Sequence, residues 1–66
     1  MRNNLIKLRH DLGLTQTEMG ALVNKSKSYW SSIEAGRLEG MADLWLTLGI
    51  KLNLTLQQIV KLKEVS

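Results

Sequence analysis

LTQTEMGALVNKSKSYWSSIEAG, residues Leu14 to Gly36, is the stretch whose reading decides the fold. Thr15 followed three residues later by Glu18 is a capping box, in which each side chain satisfies a free backbone N–H at a helix start. Leu14 before the cap and Met19 after it are spaced as a hydrophobic staple. Met19, Leu22 and Val23 then place apolar side chains on one helical face up to Asn24, a residue type that tolerates a left-handed backbone and so marks a turn. Ser26 offers a second N-cap, Trp30 and Ile33 follow at helical spacing, and Gly36 supplies a left-handed stop. Two short helices across a tight turn are expected, the second opening on a polar end.

The pattern extends in both directions. Upstream, Asn3 or Asn4 is expected to cap a first helix running to about Leu12, with Leu5, Leu8 and Leu12 on one face and Gly13 ending it. Arg9 falls on that same face and needs a partner or must snorkel outward. Within the second helix, Gln16 to Val23, Gly20 costs about 1 kcal/mol relative to alanine, which suggests close approach by another helix. The third helix, about Lys27 to Ala35, points Trp30, Ile33 and Glu34 inward and leaves Lys27, Ser28, Ser31 and Ser32 on its other face. Downstream, a short loop from Arg37 to Gly40 leads to a fourth helix over roughly Met41 to Leu52, with Asp43 favourably placed in its first turn. Its core stripe reads Met41, Leu44, Trp45, Leu48 and Leu52, while Leu46 and Ile50 are apolar off that stripe. Asn53 ends it. Thr55 and Gln58 form another capping box, flanked by Leu54 and Ile59, for a fifth helix to about Glu64.

Composition bounds the reading. With 66 residues one domain over 1–66 is expected, marginal in size and dependent on an efficient core. The absence of proline and a 44% hydrophobic content point to an all-α, compact five-helix bundle. No cysteine is present, which excludes disulfides and thiolate metal sites and fits a reducing cytoplasm. No apolar run is long enough for a membrane span and no signal-peptide pattern opens the chain. The net charge of +3 suits a polyanionic partner, weakly by itself. His10 is a lone histidine on an exposed face, so neither a metal site nor a histidine-based catalytic cluster is expected. An enzyme is therefore not expected, nor a cofactor.

On Leu14-Thr15-Gln16 with Glu18, Ser26, Ser28, Ile33-Glu34 and Gly36, the chain resembles the Cro/C1-type helix-turn-helix family of phage repressors and small bacterial regulators. Arg9 and Leu12-Gly13-Leu14 extend the likeness upstream. Leu52 to Leu56, where the family commonly reads Leu-Gly-Val-Ser-Leu, extends it downstream without a gap. Three departures stand out: Asn24 in place of the usual turn glycine, Gly20 in place of alanine, and Lys25 where an apolar residue is usually buried. The resemblance implies a lambda-repressor-like domain with its helix-turn-helix over about 15–36, bound to double-stranded DNA in the bacterial nucleoid or a phage-infected cell. It places the base-reading residues at Lys27, Ser28 and Ser32, entering the major groove. That set has no arginine, glutamine or asparagine for a bidentate base pair, so shape readout and ordered water are expected to contribute. Gln16, at the start of the second helix, corresponds to a phosphate contact in the family. Ser26 and Tyr29 carry hydroxyls suited to phosphate oxygens, and Lys25 and Arg37 flank the motif as phosphate-neutralising cations. The alternatives are a solvated polar face for the serines and lysines and a half-buried role for Tyr29. The resemblance also implies an Arg9–Glu34 salt bridge; the alternative is a local pair of Glu34 with Arg37. Trp30 and Trp45 read as core.

The resemblance implies a two-fold dimer on a pseudo-palindromic operator with half-sites one helical turn apart, about 34 Å. Leu46, Ile50, Leu54, Leu62 and Val65 are the candidate dimer surface. A Cro-like phage or prophage repressor is the first expectation; an antitoxin or a controller of restriction genes is an alternative. A protein-binding module of the same fold, acting on a toxin or a second repressor, is the rival from another class.

Overall fold

The computed structural model describes residues 1–66. Five helices and no strand make up the chain: α1 (Asn3–Asp11), α2 (Gln16–Leu22), α3 (Lys27–Ala35), α4 (Ala42–Leu52) and α5 (Leu56–Lys63). The starts are written locally. Both capping boxes form: Glu18 N–H donates to Thr15 Oγ1 at 3.1 Å and Thr15 N–H to Glu18 Oε1 at 2.9 Å, and Thr55 and Gln58 repeat the exchange at 3.1 and 2.7 Å. The Thr15 bonds hold the Glu18 carboxyl below the usual carboxylate range. Ser26 accepts from Tyr29 N–H at 3.1 Å and opens α3.

The first four helices stop by one device. Gly13, Asn24, Gly36 and Asn53 all adopt left-handed backbone, at φ of 72, 62, 82 and 54°. After each of them the next N–H reaches back to a carbonyl five residues earlier: Leu14 to Arg9, Lys25 to Gly20, Arg37 to Ser32 and Leu54 to Gly49. This Schellman arrangement satisfies carbonyls that a helix end leaves free.

Leu5, Met19, Val23, Trp30, Ile33, Leu44, Trp45, Leu48 and Leu62 form the core. Leu14 and Ile59 pack against it, which accounts for the staples at both capping boxes. Several expectations change. Neither Asn3 nor Asn4 caps α1; Arg2 holds the N-cap position and its side chain makes no capping bond to the helix, and Asn4 Nδ2 instead donates to Lys61 O in the last turn of α5 at 3.3 Å. Leu12 and Met41 are exposed, because each lies at a helix boundary where the chain leaves the core. Gly20 is crowded by the turn that follows it and not by another helix: a Cβ there would lie 2.7 Å from Lys25 O and 3.0 Å from Ser26 O. Leu62 is withdrawn from the candidate dimer surface, since α5 packs it into the core at 8% exposure. Leu54 is half-buried against the core as well. No helix is long and apolar enough to cross a membrane.

Candidate nucleic-acid interface

α2 and α3 meet through the turn at Asn24, and the first turn of α3 faces solvent. Lys27 and Ser28 are exposed there, while Ser32, one turn on, is half-buried. The backbone N–H groups that open α3 have no partner within the helix, so this end presents donors and the positive end of the dipole.

Behind this surface lies a joint built on Glu34. Its side chain is nearly buried, and four hydrogen bonds converge on the carboxylate. Arg9 Nε donates to Oε2 at 2.6 Å and Arg9 Nη2 to Oε1 at 3.3 Å; Gln16 Nε2 donates to Oε1 at 3.0 Å and Trp30 Nε1 to Oε2 at 2.7 Å. Arg9 also donates to Leu14 O at 3.1 Å. The Arg9–Glu34 ion pair thus joins α1 to α3, with Gln16 bringing in α2. Burial pushes the Glu34 carboxyl up; the bonds from Arg9, Gln16 and Trp30 and the Arg9 charge outweigh it and hold the pKa below the ordinary value. Arg37 is exposed and takes no part in this joint.

The residues expected to meet phosphates divide. Gln16 spends one amide hydrogen on Glu34 and keeps a second to donate. Ser26 uses its oxygen as the cap of α3 and keeps its hydroxyl proton. Tyr29 is half-buried; its hydroxyl accepts from Met41 N–H at 3.0 Å and so caps the start of α4, its own proton remaining available. Lys25 does not stand free: its Nζ is 3.0 Å from Asp43 Oδ2 and 5.4 Å from the Tyr29 ring, and its side chain is only 17% exposed. The stem covers the site where an apolar residue was expected, and the ammonium ties the turn to α4. Lys27, Ser28 and Arg37 remain as exposed side chains.

Sequence reading missed two parts of this assembly. The Lys25–Asp43 link spans from the turn to α4, so no local spacing announces it. Arg2 is 1% exposed and donates to carbonyls at the far end of α3, although nothing in the periodicity of the first helix marks it.

A family model described as a helix-turn-helix domain matches residues 4–43, from α1 into the first turn of α4 and well over half of the chain. No curated protein and no solved structure matches the chain. With the two helices, the left-handed turn between them and the exposed start of α3 inside the matched span, the chain belongs to the helix-turn-helix domain family, within the Cro-like superfamily of such domains.

Proposed function

We propose that this protein is a sequence-specific DNA-binding transcriptional regulator that reads the major groove with Lys27, Ser28 and Ser32 and acts as a dimer, in the manner of a Cro-like phage or prophage repressor. The observation that carries the reading is the exposed first turn of α3 on a helix held from behind by the Glu34 joint. A rigid, donor-rich helix end is what groove insertion requires. Gln16, Ser26 and Tyr29 each retain a hydrogen for a phosphate oxygen, and Arg37 adds an exposed cation.

The dimer belongs to the apolar faces of α4 and α5. Leu46 and Ile50 lie one turn apart on α4 at 63% and 79% exposure, and Leu56 and Val60 one turn apart on α5 at 76% and 54%. Leu46 and Leu56 line one shallow groove with Ala42, Trp45 and Ile59. Leu56 and Val60 thus join Leu46 and Ile50, in the place of Leu62 and Leu54. Val65 is 55% exposed but lies against Gly36 and stands at the edge of this surface.

Selection of bound sequences from random DNA, followed by footprinting, tests the proposal. A palindrome with half-sites about one helical turn apart is expected. The salt dependence of affinity then counts phosphates. If Lys25 and Arg37 both engage phosphates, their contribution to the slope of log K against log salt is roughly −1.8 per protomer; if Lys25 stays with Asp43 it is about −0.9. Operator binding that survives both Lys27→Ala and Gln16→Ala would rule out the groove geometry. No enrichment at all would turn the reading toward a protein partner.

A further inference from the structure

Arg2 is buried to 1% exposure, yet its acceptors are mostly neutral. Nη1 donates to Ile33 O and to Leu38 O, each at 2.7 Å, and Nε donates to Lys63 O at 3.0 Å. Its backbone N–H donates to Glu34 O at 2.7 Å. The acceptors are last-turn carbonyls of α3, the loop after it, and the final carbonyl of α5. One guanidinium therefore faces the negative ends of two helix dipoles. The nearest carboxylate, Glu39 Oε2 at 3.7 Å from Nη2, is on a side chain 93% exposed. The guanidinium also stands 5.7 Å from the Trp45 ring, whose Nε1 donates to Glu39 O at 3.1 Å and so pins the same loop.

As a source of stability this is inefficient, because desolvating a cation against neutral carbonyls offsets much of what the bonds return. What the rigid fork of donors supplies is geometry: three chain segments are held at fixed angles by one planar group. The geometry matters at the opposite end of α3. A nine-residue helix is about 13 Å long, so a tilt of ~10° at its C-terminal end moves its N-terminal end by roughly 2 Å. That displacement exceeds the tolerance of a hydrogen bond to a base edge.

We propose that Arg2 is a positioning residue for DNA reading: it clamps the C-terminal end of α3 and the 37–40 loop to α5, so that Lys27, Ser28 and Ser32 meet the groove at one angle. The inference rests on the DNA-binding role proposed above. It also gives α5, which lies beyond the span matched by the family, a direct hold on the recognition helix.

The test compares Arg2→Lys and Arg2→Ala with the parent protein at a temperature where circular dichroism shows each variant folded; if the alanine variant does not fold, the lysine variant carries the test. Operator affinity should fall about tenfold in both, the scale of one disturbed base-pair contact. Affinity for random DNA and the salt slope should stay unchanged, since Arg2 touches no phosphate. Lysine should not rescue, because one ammonium cannot span three segments. Unchanged operator affinity in a folded variant, an equal fall on operator and random DNA, or a smaller salt slope would each overturn the proposal. Amide hydrogen exchange without DNA supplies an independent arm: the N–H groups of Arg37 and Leu38, both bonded to Ser32 O, should exchange at least tenfold faster in Arg2→Lys, while Met19 N–H in α2 does not change. Unchanged exchange at Arg37 and Leu38 would overturn the clamp. If the parent protein binds no DNA, the proposed function fails, and the exchange arm still decides whether Arg2 sets the end of α3.

Discussion

Glu34→Gln isolates one charge at the joint between α1 and α3. The substitution keeps the volume and one carbonyl oxygen, which can still accept from Trp30 Nε1 or Gln16. Its amide NH2 must face the Arg9 guanidinium, donor against donor. Arg9 is then left 13% exposed, with Leu14 O and the His10 ring nitrogen, 3.3 Å from Nη2, as its remaining protein partners. Breaking a buried pair from one side costs about 3–5 kcal/mol. Because Arg9 keeps that carbonyl and a little solvent, the low end applies, about 3 kcal/mol. A domain of 66 residues has roughly 3–10 kcal/mol of stability in all, so the variant should be close to unfolding. Urea denaturation followed by circular dichroism should show a lower midpoint with unchanged slope. Replacing Arg9 as well, in Arg9→Met with Glu34→Gln, should recover about 2 kcal/mol, since no uncompensated cation remains. The effect has a pH signature. The native Glu34 carboxyl titrates below the unfolded value of about 4.3, so its stabilisation is complete above that pH and is lost as pH falls through the lower native pKa. The gap between parent and Glu34→Gln should therefore be full near neutrality and close below about pH 4. A gap that stays constant into acid, or one under about 1 kcal/mol at neutral pH, would refute the view that a buried carboxylate holds this joint.

Other substitutions test other levels of the structure. Gly20→Ala should destabilise by about 1–3 kcal/mol despite alanine's better helix propensity, because the new Cβ meets fixed backbone oxygens. Gly49→Ala should be near neutral, since its Cβ meets only the mobile end of Ile59; urea midpoints for the pair check both. Asn24→Gly should be tolerated, whereas Asn24→Val should cost about 1–2 kcal/mol from the left-handed backbone it would have to adopt, measured the same way. Leu56→Glu should leave stability within about 0.5 kcal/mol and shift sedimentation equilibrium to the monomer; a dimer that persists would move the interface off α5.

Much of the fold was legible because its signals act within a few residues. A threonine and the acid or amide three positions on satisfy each other's backbone wherever the helix later packs, so the starts at Thr15 and Thr55 could be read directly. The outward placement of Lys27 and Ser28, with half-buried Ser32 one turn on, is a consequence of Trp30, Ile33 and Glu34 facing inward. The availability of the remaining site residues was less legible. Gln16, Tyr29 and Lys25 each spend part of their bonding capacity on partners from other helices, namely Glu34, Met41 and Asp43.

Sequence alone therefore determined five helices, the caps of α2, α3 and α5, the left-handed stops at Gly13, Asn24, Gly36 and Asn53, and the polar start of α3. These are set by backbone sterics and by hydrogen bonds spanning five residues or fewer. The tertiary structure alone decided that Arg2 is buried, that Asn4 caps α5 instead of α1, that Leu62 belongs to the core, and that Leu56 and Val60 stay exposed. Helical periodicity shows which residues share a face. Only the angles at which the helices dock decide which faces are covered and which carbonyls lie within reach of a distant guanidinium.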